Sequence, residues 1–93
     1  MTEILVNQMP AFKKIYKKLP ASQQQIVDQA IDAIIKNPKI GQEKKGNLAG
    51  IFVYKFLINR QETLLTYEWD PTQRILLLLG THENFYRSLK NKL

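Results

Sequence analysis

The stretch that decides the fold is "IFVYKFLINRQETLLTYEWDPTQRILLLLG", Ile51 to Gly80. It holds three runs rich in β-branched, aromatic and leucine residues, "IFVYKFLI", "TLLTYEW" and "RILLLLG". Such runs read as strands, and the segments between them, "NRQE" and "DPTQ", read as turns, the Asp-Pro pair favouring type I. Strands joined this tightly pair antiparallel. The last run is almost continuously apolar, which predicts a strand covered on both faces and therefore central in the sheet.

Upstream, the spacing of apolar residues changes from strand to helix. "EILVN" is short and apolar enough for an opening strand. Pro10 suits the first turn of a helix, where its missing N–H is not needed, and Phe12, Ile15, Tyr16 and Leu19 come after it at i, i+3, i+4 and i+7. Lys13, Lys14, Lys17 and Lys18 fall largely on the other side. "LPAS" breaks this helix, and Ser22 with Gln25 reads as a capping box for a second one. Its core face is Ile26, Val27, Ala30, Ile31 and Ile34, and Asn37-Pro38 ends it. The short connection makes the two helices an antiparallel hairpin. "PKIGQEKKGNLAG", with its three glycines and three lysines, is a loop too short and too mixed to link domains. After Gly80, "THENFYRSLKNKL" can form a short helix capped by Thr81, with Phe85 and Leu89 on one side. The expectation is an α+β fold over a single domain, residues 1–93: a two-helix hairpin on a twisted antiparallel sheet of about four strands, closed by a short C-terminal helix.

Ninety-three residues suffice for one core that buries roughly 60 to 65% of the unfolded chain's surface. The absence of cysteine excludes disulfides, thiolate nucleophiles and cysteine-based metal sites, and fits a reducing compartment. "MTEILVNQMP" lacks a signal-like leader, and the longest apolar run, Ile75 to Leu79, is too short to span a bilayer, so a soluble, cytoplasmic protein without membrane contact is expected. Fourteen Lys and Arg against eight Asp and Glu leave a net charge of +6. The surplus is clustered: Lys13, Lys14, Lys17 and Lys18; then Lys36, Lys39, Lys44 and Lys45 against Glu43; then Arg87, Lys90 and Lys92. Charge alone leaves a polyanion-binding surface and a solvated lysine face equally open.

No glycine-rich phosphate loop, nucleophile elbow or histidine pair at metal spacing is present, so neither a cofactor nor a catalytic metal is expected. Glu62, Glu68 and Asp70 lie at or near strand ends and read as surface charge. What remains is one histidine, several tyrosines and many cations. That set is poor for hydrolysing a peptide but workable for cleaving RNA, whose own 2′-hydroxyl is the nucleophile. The protein need only move two protons and stabilise charge on the phosphate. His82 suits proton transfer because its unperturbed pKa lies near neutrality, and Tyr86, four residues on, shares its face if the segment is helical. Taken on the pattern alone, His82 as an end-of-strand packing residue and Tyr86 with Phe85 as the edge of the core remain competing readings.

The order of elements and the words "KKGNLAGIFVYKF", "LLTYEWD" and "LLLLGTHENFYRSLK" resemble the RelE/ParE superfamily of toxins from bacterial type II toxin–antitoxin modules. The likeness runs from "PAFKKIYKKLP" to the end, and its more specific parts are the Leu-x-Gly before the first long strand and the Gly-x-His-x-x-x-Tyr-Arg ending. It implies a metal-independent endoribonuclease that cuts mRNA in the ribosomal A site, or, in a sister branch, a non-enzymatic inhibitor of DNA gyrase; an inactive homologue that only binds antitoxin is a third possibility. Carried over by position, Lys44 and Lys45 of the loop and Lys55 of the sheet would hold RNA, with Arg74 and Lys90 adding charge, and His82, Tyr86 and Arg87 would form the terminal site. Where many mRNA-cleaving relatives carry an arginine on the first long strand this chain has Val53, and Glu83 and Asn84 come after the histidine in place of arginines. Stabilising the phosphate would then fall to Lys55, Arg74 or Arg87. The implied partners are the ribosome with its mRNA and an acidic antitoxin whose segment folds over Phe12, Tyr16 and the C-terminal segment around Phe85.

Overall fold

The computed structural model of the protein describes residues 3–81. In chain order these form β1 (Leu5–Gln8), α1 (Pro10–Lys18), α2 (Ala21–Lys36), a 3₁₀ turn (Pro38–Ile40), β2 (Gln42–Glu43), a second 3₁₀ turn (Gly46–Leu48), β3 (Phe52–Ile58), β4 (Gln61–Asp70) and β5 (Gln73–Thr81). The short C-terminal helix expected after Gly80 lies outside the described residues. No helix among the described residues is long and apolar enough to cross a membrane.

The strands form one sheet in the order β1-β5-β4-β3-β2. It is antiparallel except where β1 runs parallel to β5, with Leu5 opposite Gln73 and Gln8 opposite Leu76. There are five strands rather than about four. The extra one is β2, two residues long in the lysine-rich loop, too short to leave a period in the sequence.

The helical hairpin covers one face of this sheet. Phe12, Val27, Ala30 and Ile34 pack against Ile58, Leu65, Tyr67, Leu76 and Leu79. β5 lies between β1 and β4 and buries residues toward both faces, Leu76 and Leu79 under the hairpin and Leu78 in a second cluster with Val53 and Leu64. The β4/β5 register explains how one leucine run serves both. Thr66 opposes Leu78 but Tyr67 opposes Leu76, so Leu77 is an extra residue, a bulge that breaks strict alternation.

Local chemistry sets the element ends. Helix α1 starts at Pro10 without a side-chain cap. Helix α2 begins two residues earlier than the sequence implies: Pro20 is its N-cap, its carbonyl accepting the N–H groups of Gln23 and Gln24, so Ser22 already lies inside the first turn and the capping box does not form. β3 and β4 are joined by the two-residue turn Asn59-Arg60, with φ of 49° and 70°. That is the left-handed geometry of a type I′ hairpin, which asparagine tolerates and arginine adopts at a cost of about 1 kcal/mol. At the β4–β5 turn, Asp70 Oδ1 accepts the N–H groups of Thr72 (2.8 Å) and Gln73 (3.0 Å).

Candidate functional site

The face of the sheet opposite the hairpin is built by alternation. Leu65 and Tyr67 point under the helices, so Leu64 and Thr66 point the other way, with Lys55 opposite Leu64 and Val53 opposite Thr66. Gly80 is the next residue along the Lys55–Leu64 row, and Leu78 along the Val53–Thr66 row. The floor is therefore apolar: Val53, Leu64 and Leu78 are buried, with Leu48 of the second 3₁₀ turn packed beside them. Thr66 is fully buried here, and its hydroxyl has no hydrogen-bond partner among the described residues. Lys55 is exposed on this floor. The row also fixes where the chain leaves the sheet: from Lys55 to Gly80 is two strand spacings, about 10 Å, and His82 lies two residues beyond Gly80.

The loop residues flank this face. Gln42 pairs with Val53, the Lys44 N–H bonds to the Ile51 carbonyl at 2.8 Å, and the Gly50 N–H donates to Glu43 Oε2 at 3.1 Å. These bonds bring Lys44, half-buried, and Lys45, exposed, alongside the strand that carries Lys55.

Two of the residues read from the sequence as surface contacts are interior. Arg74 is 4% exposed. Its Nε donates to the carbonyl of Ile34 (3.1 Å) and its terminal nitrogens to those of Ile35 (3.0 Å), Asp70 (2.7 Å) and Gln73 (3.0 Å). It also lies 5.8 Å from the centre of the Trp69 ring. This guanidinium satisfies the carbonyls that α2 leaves open at its C-terminus, so Arg74 is not part of an RNA-facing surface. Phe12 is fully buried, ring-stacked on Tyr16 at 5.9 Å, and cannot present itself to an antitoxin. Tyr16 is half-buried, and its hydroxyl donates to Asp28 at 2.8 Å, a bond that raises its pKa above the ordinary phenol value. His82, Phe85, Tyr86, Arg87 and Lys90 lie outside the described residues.

One feature of the site has no signal in the sequence. The Tyr67 hydroxyl reaches from β4 to the loop, donating to the Pro38 carbonyl (2.6 Å) and accepting the Gly41 N–H (3.0 Å). A tyrosine in an apolar strand reads only as core, and partners 26 and 29 residues away cannot be found from spacing.

A family model described as the ParE-like toxin of type II bacterial toxin–antitoxin system matches residues 6–90. The chain belongs to this family. Solved structures agree on the fold of this ParE-like toxin. The RelBE2 toxin–antitoxin complex from Mycobacterium tuberculosis matches with a TM-score of 0.70 at 20% identity, over 87% of this chain and 100% of that one. A doubly substituted Escherichia coli RelE toxin in the free state gives 0.70 at 13% identity over 99% and 100%. The YoeB/ParE toxin from Agrobacterium tumefaciens gives 0.65 at 12% identity over 85% and 99%. A search of curated proteins returns no match.

Proposed function

We propose that this type II toxin is a ribosome-dependent, metal-independent endoribonuclease that cleaves mRNA. The observation that carries the reading is the Lys55–Leu64–Gly80 row, which sets the backbone of exposed Lys55 two strand spacings, about 10 Å, from that of Gly80, two residues before His82. In the reaction the substrate's 2′-oxygen loses its proton, attacks the adjacent phosphorus and forms a 2′,3′-cyclic phosphate. The bond from phosphorus to the 5′-oxygen breaks, and that oxygen gains a proton. His82 is the proton-transfer group, and Tyr86 its partner or a stacking platform for a base. Lys55 and Arg87 stabilise charge on the phosphate, and Lys44, Lys45 and Lys90 hold the backbone. Arg74 has no part in it.

Its silencer in the cell is an acidic antitoxin that folds on the basic surface. On α1 the groups open to such a segment are Ile15 and the half-buried Tyr16 rather than Phe12. Mapping the 5′ ends of cellular mRNA after brief induction tests the reading, which requires new ends within translated codons.

One observation favours a second reading, inhibition of DNA gyrase. On the face of β3, β4 and β5 opposite the hairpin the described residues include one cation, Lys55, against Glu62 and Glu68, and Val53 stands where an arginine would bind phosphate. That reading forecasts DNA-damage signalling and no new mRNA ends.

A further inference from the structure

The segment joining α2 to β3, residues 37–51, carries Lys39, Lys44 and Lys45, and a connection of this length is ordinarily mobile. Here it is gripped near its start by one side chain. Tyr67 is fully buried under the hairpin, its ring 5.7 Å from that of Phe52. Its hydroxyl closes both ends of the turn Pro38–Gly41, donating to the first carbonyl and accepting from the last N–H. The turn is shaped for this grip. The Asn37 side chain accepts the Lys39 N–H at 3.2 Å, and position 41 has room only for glycine: an added Cβ would lie 2.6 Å from the Tyr67 hydroxyl oxygen and 3.0 Å from the Val53 carbonyl. Burial, the largest influence, raises the pKa of this phenol and keeps the proton it donates.

The position at which Gly41 is held governs the chain beyond it. The next residue, Gln42, opens β2 opposite Val53, and the ladder continues through Lys44 to Ile51. The register that places Lys44 opposite Ile51, on the strand that carries Lys55 four residues (about 13 Å) further on, is thus set at the Tyr67 hydroxyl. We propose that Tyr67, which touches no substrate, is a positioning residue for polyanion binding: it fixes the basic loop against the sheet so that Lys44, Lys45 and Lys55 meet one phosphodiester backbone together. The inference rests on the reading of this surface as an RNA grip.

Tyr67→Phe keeps the ring in the core and deletes only the two loop bonds. Amide hydrogen exchange at residues 39–44 should then accelerate on the order of tenfold, while α2 and β3 to β5 keep their protection. Binding to purified ribosomes is measured against salt for four proteins: wild type, Tyr67→Phe, Lys44→Ala with Lys45→Ala, and the triple variant. Tyr67→Phe should lower the log–log salt slope by roughly one unit, as does loss of a phosphate contact, and the triple variant should bind like the lysine variant. A merely structural tyrosine would leave the slope unchanged. Unchanged exchange at residues 39–44 overturns the latch. Altered exchange with wild-type slope, or additive losses in the triple variant, overturns its role in positioning. A lysine variant with the wild-type slope also overturns the inference, while induction without new mRNA ends defeats the nuclease reading and is scored separately.

Discussion

Replacing Arg74 by alanine asks whether this cation serves the fold or the substrate. Its guanidinium makes four hydrogen bonds to main-chain carbonyls from a side chain that is 4% exposed. At about 1 kcal/mol net per bond, with some return for carbonyls that regain water, the loss is about 3 kcal/mol. For a domain of this size that lowers the melting midpoint by roughly 12 to 24 °C. It is also a large share of the roughly 5 to 15 kcal/mol by which single domains are stable. Arg74→Lys keeps the charge but loses the planar fork, and should recover no more than about half. Denaturant unfolding of the purified toxin gives the stability, and ribosome binding against salt, measured where both proteins are folded, gives the electrostatics. The expected pattern is a destabilised protein with the wild-type salt slope. An Arg74→Ala protein within about 1 kcal/mol of wild type whose slope falls by about one unit would refute this role and return Arg74 to the RNA surface.

Three further outcomes concern other residues. His82→Ala should reduce mRNA cleavage by about 10² to 10⁴ with ribosome binding nearly unchanged, and Tyr86→Phe separates proton transfer from stacking; a His82→Ala protein that cleaves at the wild-type rate removes the catalytic role. Asp70 has its pKa lowered, first by the Thr72 N–H and then by the Gln73 side chain. Its contribution to stability is present above the unfolded carboxyl value of about 3.9 and lost as pH falls through the lower folded value, so acid should destabilise the wild type more than Asp70→Asn between pH 5 and 2, and parallel unfolding midpoints would count against this. Arg60→Gly, which relieves a φ of 70° in the hairpin turn, should stabilise by about 0.5 to 1 kcal/mol, read as a higher denaturant midpoint.

The hairpin and the three-strand meander were legible because each depends on a period within one segment: Phe12, Tyr16 and Leu19 of the α1 stripe pack into the core while Ile15 stays exposed, and Asp70-Pro71 turns the chain as its residue types require. Illegible features depend on partners distant in sequence. Ile75 to Leu79 has no alternation to show that Leu77 is a bulge, since that depends on the register with β4. Arg74 looks like any strand cation until the end of α2, 40 residues earlier, is placed over it. Phe12 carried two incompatible readings, core stripe and antitoxin contact, and packing decides for the first. The cap of α2 was misplaced because Pro20 supplies the extended geometry that Ser22 was expected to supply. At the candidate site Lys55 could be placed by alternation, whereas the Tyr67 grip on the loop could not.

The parallel pairing of β1 with β5 ties the first strand of the sheet to the last. On a growing chain β1 and the hairpin emerge early, yet β1 has no strand to pair with until the four later strands have been made and β5 has folded back beside it. Closure of the sheet is a non-local event that local helix formation cannot hasten. A nascent chain therefore carries an open strand edge, which is a liability for aggregation. It also has no assembled lysine surface, because the loop is gripped by β4 and the terminal segment is fed by β5. The order of synthesis itself delays assembly of the basic face, which cannot form until β5 has been made.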